Sequence, residues 1–295
     1  MSEPSKLGFI GLGVMGEPMC RHLGRKSGLP VIAYDLRPEP LERLRDDGVR
    51  RMASVPELAA EADIVFLSLP GGKEVRQLCG GARGLVALAR SGQTIVDLGT
   101  SPVSLARELA KRLGAKGADF ADAPVARTRE AAQQGTLSVM VGASEPVFRR
   151  IEPLLRCFAA EITRCGEVGA GQVVKIINNM VLFQTGVALA EALTLARKSG
   201  VDGALLFQTL AKGSADSFAL RNHGMKAMLP GVFPEPAFSA EYALKDLSYA
   251  LEMAGEVGTQ LRGAELAGQM LRETIAQGNG RRYWPVLLEA IARSR

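Results

Sequence analysis

An α/β half built on a parallel-rich sheet, followed by an all-α half reached through one long helix, is the architecture that the sequence predicts. Up to about residue 165, short β-branched runs alternate with helical patterns, the signature of βαβ units. From about residue 170 onward no strand-like run appears, and long helical patterns follow one another. Length agrees: 295 residues exceed what one small core organises, so two domains are expected, 1–165 and 166–295.

The elements follow in order. Candidate strands are 7–10 "LGFI", 31–34 "VIAY", 64–69 "IVFLSL", 94–97 "TIVD", 119–122 and 137–141 "LSVMV". Helical patterns lie between most of them, for example "SLARELAKRLG" at 104–114. The longest helix is predicted over 171–200 and closes at a Gly-Val-Asp turn. Helices at 203–212, 216–229, 241–257 and 262–277 follow, and a last one restarts near Pro285.

Composition narrows the function classes. Hydrophobic content of 47% with 23% charged residues is globular. The net charge of +5 is scattered, with no run of five like charges, and only four Tyr and one Trp are present. That is a poor footprint for nucleic-acid binding and a fair one for small anionic molecules. Cys20, Cys79, Cys157 and Cys165 form no C-x-x-C pair, and His22 and His223 are the only histidines, so no metal site is expected. The apolar start "KLGFIGLGVMG" lacks a charged leader and cleavage site, and Gln184 and Glu191 interrupt the apolar stretch 180–197. A soluble, cytoplasmic protein with no membrane partner is the expectation.

"GFIGLGVMG" places Gly11, Gly13 and Gly16 as G-x-G-x-x-G directly after the first strand. The first glycine permits the tight turn, the second lets backbone approach a pyrophosphate, and the third lets helix pack on strand. The backbone from Leu12 through Val14 and Met15 then faces phosphate at a helix N-terminus. The pattern alone is weak, and a glycine turn without ligand also satisfies it. Asp35 strengthens it: it ends the second strand about 20 residues on, where an acid bonds the adenosine ribose hydroxyls. A carboxylate there repels a 2′-phosphate and favours NAD, while Arg37 keeps NADP open. Leu69 and Pro70 in "SLP" and Thr100 in "DLGT" end two further strands facing the same crevice, although ordinary turn chemistry explains Pro70 and Gly99 as well.

Lys175, Asn178 and Asn179 in "GQVVKIINN" stand at i, i+3 and i+4, so they share one helix face. Their neighbours Val173, Val174, Ile176, Ile177 and Met180 suggest a buried setting, costly for polar groups without partners. Either they form a structural polar network joining the domains, or they line a cleft. In a cleft, burial draws the lysine down from its usual ~10.4 toward ~7–8, where it exchanges protons at neutral pH. "APVARTR" at 123–129 raises a similar choice: after a Pro-Val pair expected to end a strand, its cations are an anion clamp or a solvated loop.

Together these motifs resemble the β-hydroxyacid dehydrogenase family, of the 3-hydroxyisobutyrate dehydrogenase type. "GFIGLGVMGEPM", "DLGTS", "DAPV" with "GTLSVMVG", "GAGQVVKIINNM" and "KDLSYAL" carry the resemblance over nearly the whole chain. It implies a Rossmann-type domain, a helical substrate and oligomerisation domain behind a long interdomain helix, and a homodimer or homotetramer. It assigns catalysis to Lys175 with Asn179 as its amide partner, Lys245 to the nicotinamide or substrate side, and Asn178 and Asp246 to the substrate. Imine-reducing relatives usually lack the lysine, so its presence favours alcohol–carbonyl chemistry on a small anionic hydroxy acid or aldehyde. It also speaks against a nicotinamide sensor without turnover.

The chain departs from the family after Pro-Val. Where most members have Ser-Gly-Gly, it has Ala126, Arg127 and Thr128. An arginine fork suits a carboxylate, sulfonate or phosphate. A similar Pro-Val-x-Arg-Thr stretch occurs in the family's sulfolactaldehyde reductases. Substrate-anion binding is therefore expected at Ala126, Arg127 and Thr128, while Arg129 caps or solvates the next helix. Arg262 stands where relatives commonly have proline and Phe218 where they often have tryptophan, which puts the usual 3-hydroxyisobutyrate pocket in doubt.

Overall fold

The computed structural model describes residues 4–235 and 237–293. They form two compact units, the first ending at Lys175 and the second beginning at Ile176.

The first unit is built on one sheet of nine strands: β1 (Leu7–Ile10), β2 (Val31–Tyr34), β3 (Val49–Arg51), β4 (Ile64–Leu67), β5 (Thr94–Asp97), β6 (Asp119–Asp122), β7 (Val125–Ala126), β8 (Leu137–Gly142) and β9 (Ala159–Gly166). Their order is β3-β2-β1-β4-β5-β6-β8-β7, with β9 pairing β8. The first six run parallel, whereas β8 is antiparallel to both β6 and β7. The β1–β4 junction is the topological switch point, beyond which ligands of doubly wound sheets lie.

The central strands are fully buried; β1 and β4 are accordingly free of polar side chains, while β5 sets buried Thr94 and Asp97 at its ends. Alternate side chains feed two cores. Leu7, Phe9, Ile64 and Phe66 join Met19 and Leu23 from helix Gly16–Lys26 on one face. Ile10, Val65 and Leu67 join Leu105, Leu109 and Leu113 from helix Val103–Gly114 on the other. Truncating one such buried leucine to alanine costs about 2–5 kcal/mol.

Pro124-Val125 does not end a strand as the sequence suggested: Val125 and Ala126 form β7, paired to Val139 and Ser138 of β8. That short return turns the chain so that Arg127 follows a strand edge.

The long helix runs Ala170–Lys198, about 44 Å at 1.5 Å per residue. By length and composition it is able to cross a membrane, so Gln184 and Glu191 interrupt its apolar character less than expected. In the second unit its Phe183, Val187, Ala190 and Leu193 are buried in a core shared with Phe207, Leu220, Leu247, Leu271 and Trp284. Helices Gly203–Leu210, Ala240–Glu256, Arg262–Thr274 and Leu287–Arg293 complete that unit. Within the predicted helix 216–229, residues Leu220–Met228 form a π-helix, seen in the bond from Leu229 N–H to the Gly224 carbonyl at 2.8 Å.

Candidate active site

The loops after β1, β2, β4 and β5 converge at the carboxyl end of the sheet. Gly11 has φ +93°, and a Cβ there would lie 2.3 Å from the Ser68 carbonyl oxygen and 3.0 Å from the Leu69 side chain. Only glycine makes this turn. A Cβ on Gly16 would lie 2.0 Å from the Gly11 carbonyl oxygen, so the third glycine closes the loop on the helix. Gly13 is different: a Cβ on it meets no protein atom within 4 Å. Packing inside the chain does not require that glycine, whereas close approach of a pyrophosphate does.

Met15, the N-cap of helix Gly16–Lys26, makes no side-chain cap bond, which suits an external anion at that end. Val14, beside it, is exposed. Asp35 accepts the Leu12 N–H at 2.6 Å and the Arg37 N–H at 2.9 Å, and the Arg37 guanidinium lies 3.4 Å from the same carboxylate. Acid and glycine loop are thus tied together. Leu69 also backs Gly99, where a Cβ would lie 3.1 Å from the Leu69 carbonyl. Pro70 is exposed and Thr100 half-buried. These residues fit a dinucleotide.

Arg127 has φ +85°, the left-handed region that favours glycine. The family resemblance drawn from the sequence implies glycine at this position, which the observed backbone would suit. Its Nη1 donates to the Thr136 carbonyl at 2.8 Å. Thr128 caps helix Arg129–Gln134 by accepting the Ala131 N–H at 3.3 Å, so its hydroxyl oxygen has a structural duty, and Arg129 opens that helix. Ala126 lies in β7.

Lys175 is buried, and Asn179, one turn further along the same helix, is buried too. Asn178 is exposed, with Val174 and Ile177, so the uniformly buried setting expected for this stretch is not found. In the second unit Asn179 Nδ2 donates to Asp246 Oδ2 at 2.7 Å, and Asn178 Nδ2 donates to Asn179 Oδ1 at 3.1 Å. Lys245 pairs with Asp246 Oδ1 at 2.9 Å and lies 5.5 and 5.3 Å from the ring centroids of Tyr242 and Tyr249. The structure therefore assembles Asn178, Asn179, Lys245 and Asp246 into one network. Phe218 packs edge-on against His223, while Arg262 begins its helix.

Two features escaped the sequence reading. Asp122, Asp97, Ser101 and Gln172 form a buried polar cluster around the start of the long helix. Burial pushes the Asp122 carboxyl up to about 6 against the pull of N–H bonds from Gly169 and Gln172. The second feature is His223, bonded to the Tyr283 hydroxyl at 2.5 Å beneath Trp284; burial lowers its pKa to about 4 and raises that of Tyr283 to about 12. Polar residues within strand-end motifs were the available signal for the first. A lone histidine in a helical pattern gave none for the second.

Comparison with known proteins agrees with this geometry. Residues 6–166 match the family described as the NAD binding domain of 6-phosphogluconate dehydrogenase. Residues 169–284 match the NAD-binding family of NADP-dependent 3-hydroxyisobutyrate dehydrogenase. The chain is 36% identical over 281 residues to 2-(hydroxymethyl)glutarate dehydrogenase of Eubacterium barkeri, covering 95% of this chain and 93% of that protein. It is 33% identical over 286 residues to mitochondrial 3-hydroxyisobutyrate dehydrogenase of Mus musculus, covering 94% and 84%. Among solved structures, Mycobacterium tuberculosis 3-hydroxyisobutyrate dehydrogenase with L-serine superimposes with a TM-score of 0.84 at 30% identity, over 98% of this chain and 99% of that one. The chain thus belongs to the β-hydroxyacid dehydrogenase family, NAD(P)-dependent oxidoreductases of the 3-hydroxyisobutyrate dehydrogenase type.

Proposed function

We propose that this enzyme interconverts a short β-hydroxy acid, or the matching hydroxysulfonate, and its aldehyde, with NAD preferred over NADP. The observation that carries the substrate half is Arg127, held at φ +85° with one guanidinium nitrogen anchored on Thr136. Strain of this kind persists at ligand clamps, and a five-donor fork grips a multi-oxygen anion beside its anchor. Sulfolactaldehyde reduction to dihydroxypropanesulfonate is the sharpest form of the reading. A second form, a 3-hydroxyisobutyrate- or serine-type substrate, is supported by the similarity to the mouse and M. tuberculosis proteins.

In this reading Arg127 binds the acid group, with Thr128 and the Ala126 backbone beside it. Lys175 exchanges the proton at the substrate oxygen, and Asn179 orients that oxygen. Asn178 and Asp246 complete the polar lining, and Lys245, braced by two tyrosine rings, neighbours the cofactor. A bound nicotinamide supplies hydride transfer. Asp35 supports NAD, since its carboxylate already faces the glycine loop through Leu12. The division into a cofactor half (1–165) and a substrate and oligomerisation half (166–295) belongs to the same proposal. Exposed Val181, Leu195 and Leu205 support a homo-oligomer.

The test is a steady-state screen of C3–C4 hydroxy acids and hydroxysulfonates with both cofactors, run beside Lys175→Ala. Turnover of the variant should fall at least ~100-fold while NADH still binds. A near-normal rate would remove Lys175 from the chemistry. Cofactor binding without turnover of any substrate would point to a sensor.

A further inference from the structure

Gln172 lies three residues before Lys175, in the first turn of the long helix, and is completely buried. Both ends of its amide bond to main chain on either side of Thr100. Nε2 donates to the Gly99 carbonyl at 2.8 Å, and Oε1 accepts the Ser101 N–H at 3.0 Å. The amide thus reads the loop after β5 as a neighbouring strand would, clipping both flanks of one residue.

Each partner is itself fixed. Asp97 accepts the Gly99 N–H at 2.9 Å and the Ser101 hydroxyl at 2.8 Å, which holds the loop. Asp122, at the end of β6, accepts the N–H groups of Gly169 at 2.6 Å and of Gln172 itself at 2.7 Å, which holds the helix start. Charged acceptors make such bonds strong, and all of these side chains are buried. Residues three apart on a helix are neighbours, and helical side chains lean toward the N-terminus. The Lys175 side chain therefore rises from the turn that Gln172 pins.

We propose that Gln172 is a positioning residue that sets the lysine-bearing helix against the Thr100 loop. It fixes Lys175 in register with the cofactor loop, and it acts through those two elements. The inference rests on the reading of Lys175 as proton carrier and Thr100 as cofactor contact.

The test compares Gln172→Met, Gln172→Glu and Lys175→Met in the full-length chain. The probes are NADH binding by fluorescence, and NAD-dependent turnover of 3-hydroxyisobutyrate, L-serine, D-glycerate and 2,3-dihydroxypropanesulfonate, read on the fastest of the four. Gln172→Met keeps the shape and loses the amide: kcat should fall at least tenfold, with KM for the acid within about threefold, and NADH affinity should weaken about threefold or more. A folded Gln172→Met with wild-type kcat, or with wild-type NADH affinity, overturns the inference.

Gln172→Glu supplies a signature that packing alone does not. A protonated carboxyl repeats the donor–acceptor pair of the amide, whereas an ionised one sets an acceptor against the Gly99 carbonyl. Its activity relative to wild type should fall as pH rises from 6 to 9, while that of Gln172→Met stays flat. The charged and titratable groups around it are Asp97 on β5, Asp122 on β6, Cys165 on β9, Arg107 on helix Val103–Gly114, and Lys175. Wild type contains them all, so the ratio at each pH cancels their own titration. A flat ratio for Gln172→Glu also overturns the inference. If Lys175→Met keeps its turnover, the proton-carrier reading is what fails; if Lys175→Met is inactive and Gln172→Met is normal, only the positioning role fails.

Discussion

Asn179 donates to Asp246 at 2.7 Å, and this one bond fixes which way the buried amide faces. With Nδ2 committed to the carboxylate, Oδ1 turns toward Asn178, from which it accepts. The same carboxylate pairs with Lys245, so three side chains depend on one buried charge. Buried hydrogen bonds to charged groups contribute about 1.5–3 kcal/mol. Asp246→Ala and Asn179→Ala should each lower stability by that order and turnover by about tenfold. In a denaturant double-mutant cycle the two losses should fall short of additivity by at least ~0.5 kcal/mol. Fully additive losses would show that the pair does not act as a unit.

Arg127 allows strain and binding to be separated. A non-glycine residue in the left-handed region costs about 1–2 kcal/mol, and glycine there costs far less. Arg127→Gly and Arg127→Ala both lose the bond to Thr136, but only alanine keeps the strain. The glycine variant should therefore be the more stable of the two by about 1 kcal/mol in chemical denaturation. Both should raise KM for anionic substrates at least tenfold and leave NADH affinity nearly intact. Equal losses on neutral and anionic aldehydes would show that the guanidinium does not hold the acid group.

Asp35 tests the cofactor preference. Its carboxylate accepts N–H groups from Leu12 and Arg37, with the Arg37 guanidinium alongside. Asp35→Asn removes the charge that repels a 2′-phosphate and leaves Arg37 to receive one. The ratio of kcat/KM with NADPH to that with NADH should rise at least tenfold. An unchanged ratio would place the discrimination elsewhere.

The legible parts of this molecule are those whose physics repeats along the chain. β1 and β4 are buried on both faces and read as apolar runs, and β5 keeps a β-branched centre between Thr94 and Asp97. β3 carries two exposed arginines, and β9 alternates exposed Glu161 and Thr163 with half-buried Ile162 and Arg164, so neither stands out from a loop. Lys175 and Asn179 were visible because helical spacing stacks them. Gln172 and Asp122 were not, because an amide or carboxylate that binds the main chain of a distant loop leaves no periodic trace. The left-handed conformation of Arg127 was not legible, because an arginine in a loop gives no sign of a positive φ.

His223 gives the second unit a defined pH response. Its ring is buried among Phe218, Tyr283 and Trp284 and bonded to the Tyr283 hydroxyl, and burial lowers its pKa from 6.5 to about 4. The unfolded chain therefore takes up a proton near pH 6.5, whereas the folded chain resists until about pH 4. Protonation favours the unfolded state between those values. The stability that the neutral ring allows is complete above pH 6.5 and is lost progressively as pH falls toward 4. Each pH unit in that window costs about 1.4 kcal/mol at most. Other groups also titrate there, so the measurement is a difference: the melting temperatures of wild type and His223→Phe, followed from pH 7.5 to 4. The phenylalanine variant leaves the Tyr283 hydroxyl without its partner and should be less stable at pH 7.5, yet its melting temperature should fall less steeply below pH 6.5. Parallel curves would mean that His223 does not titrate between the folded and unfolded states, and that the acid sensitivity arises from the carboxylates alone.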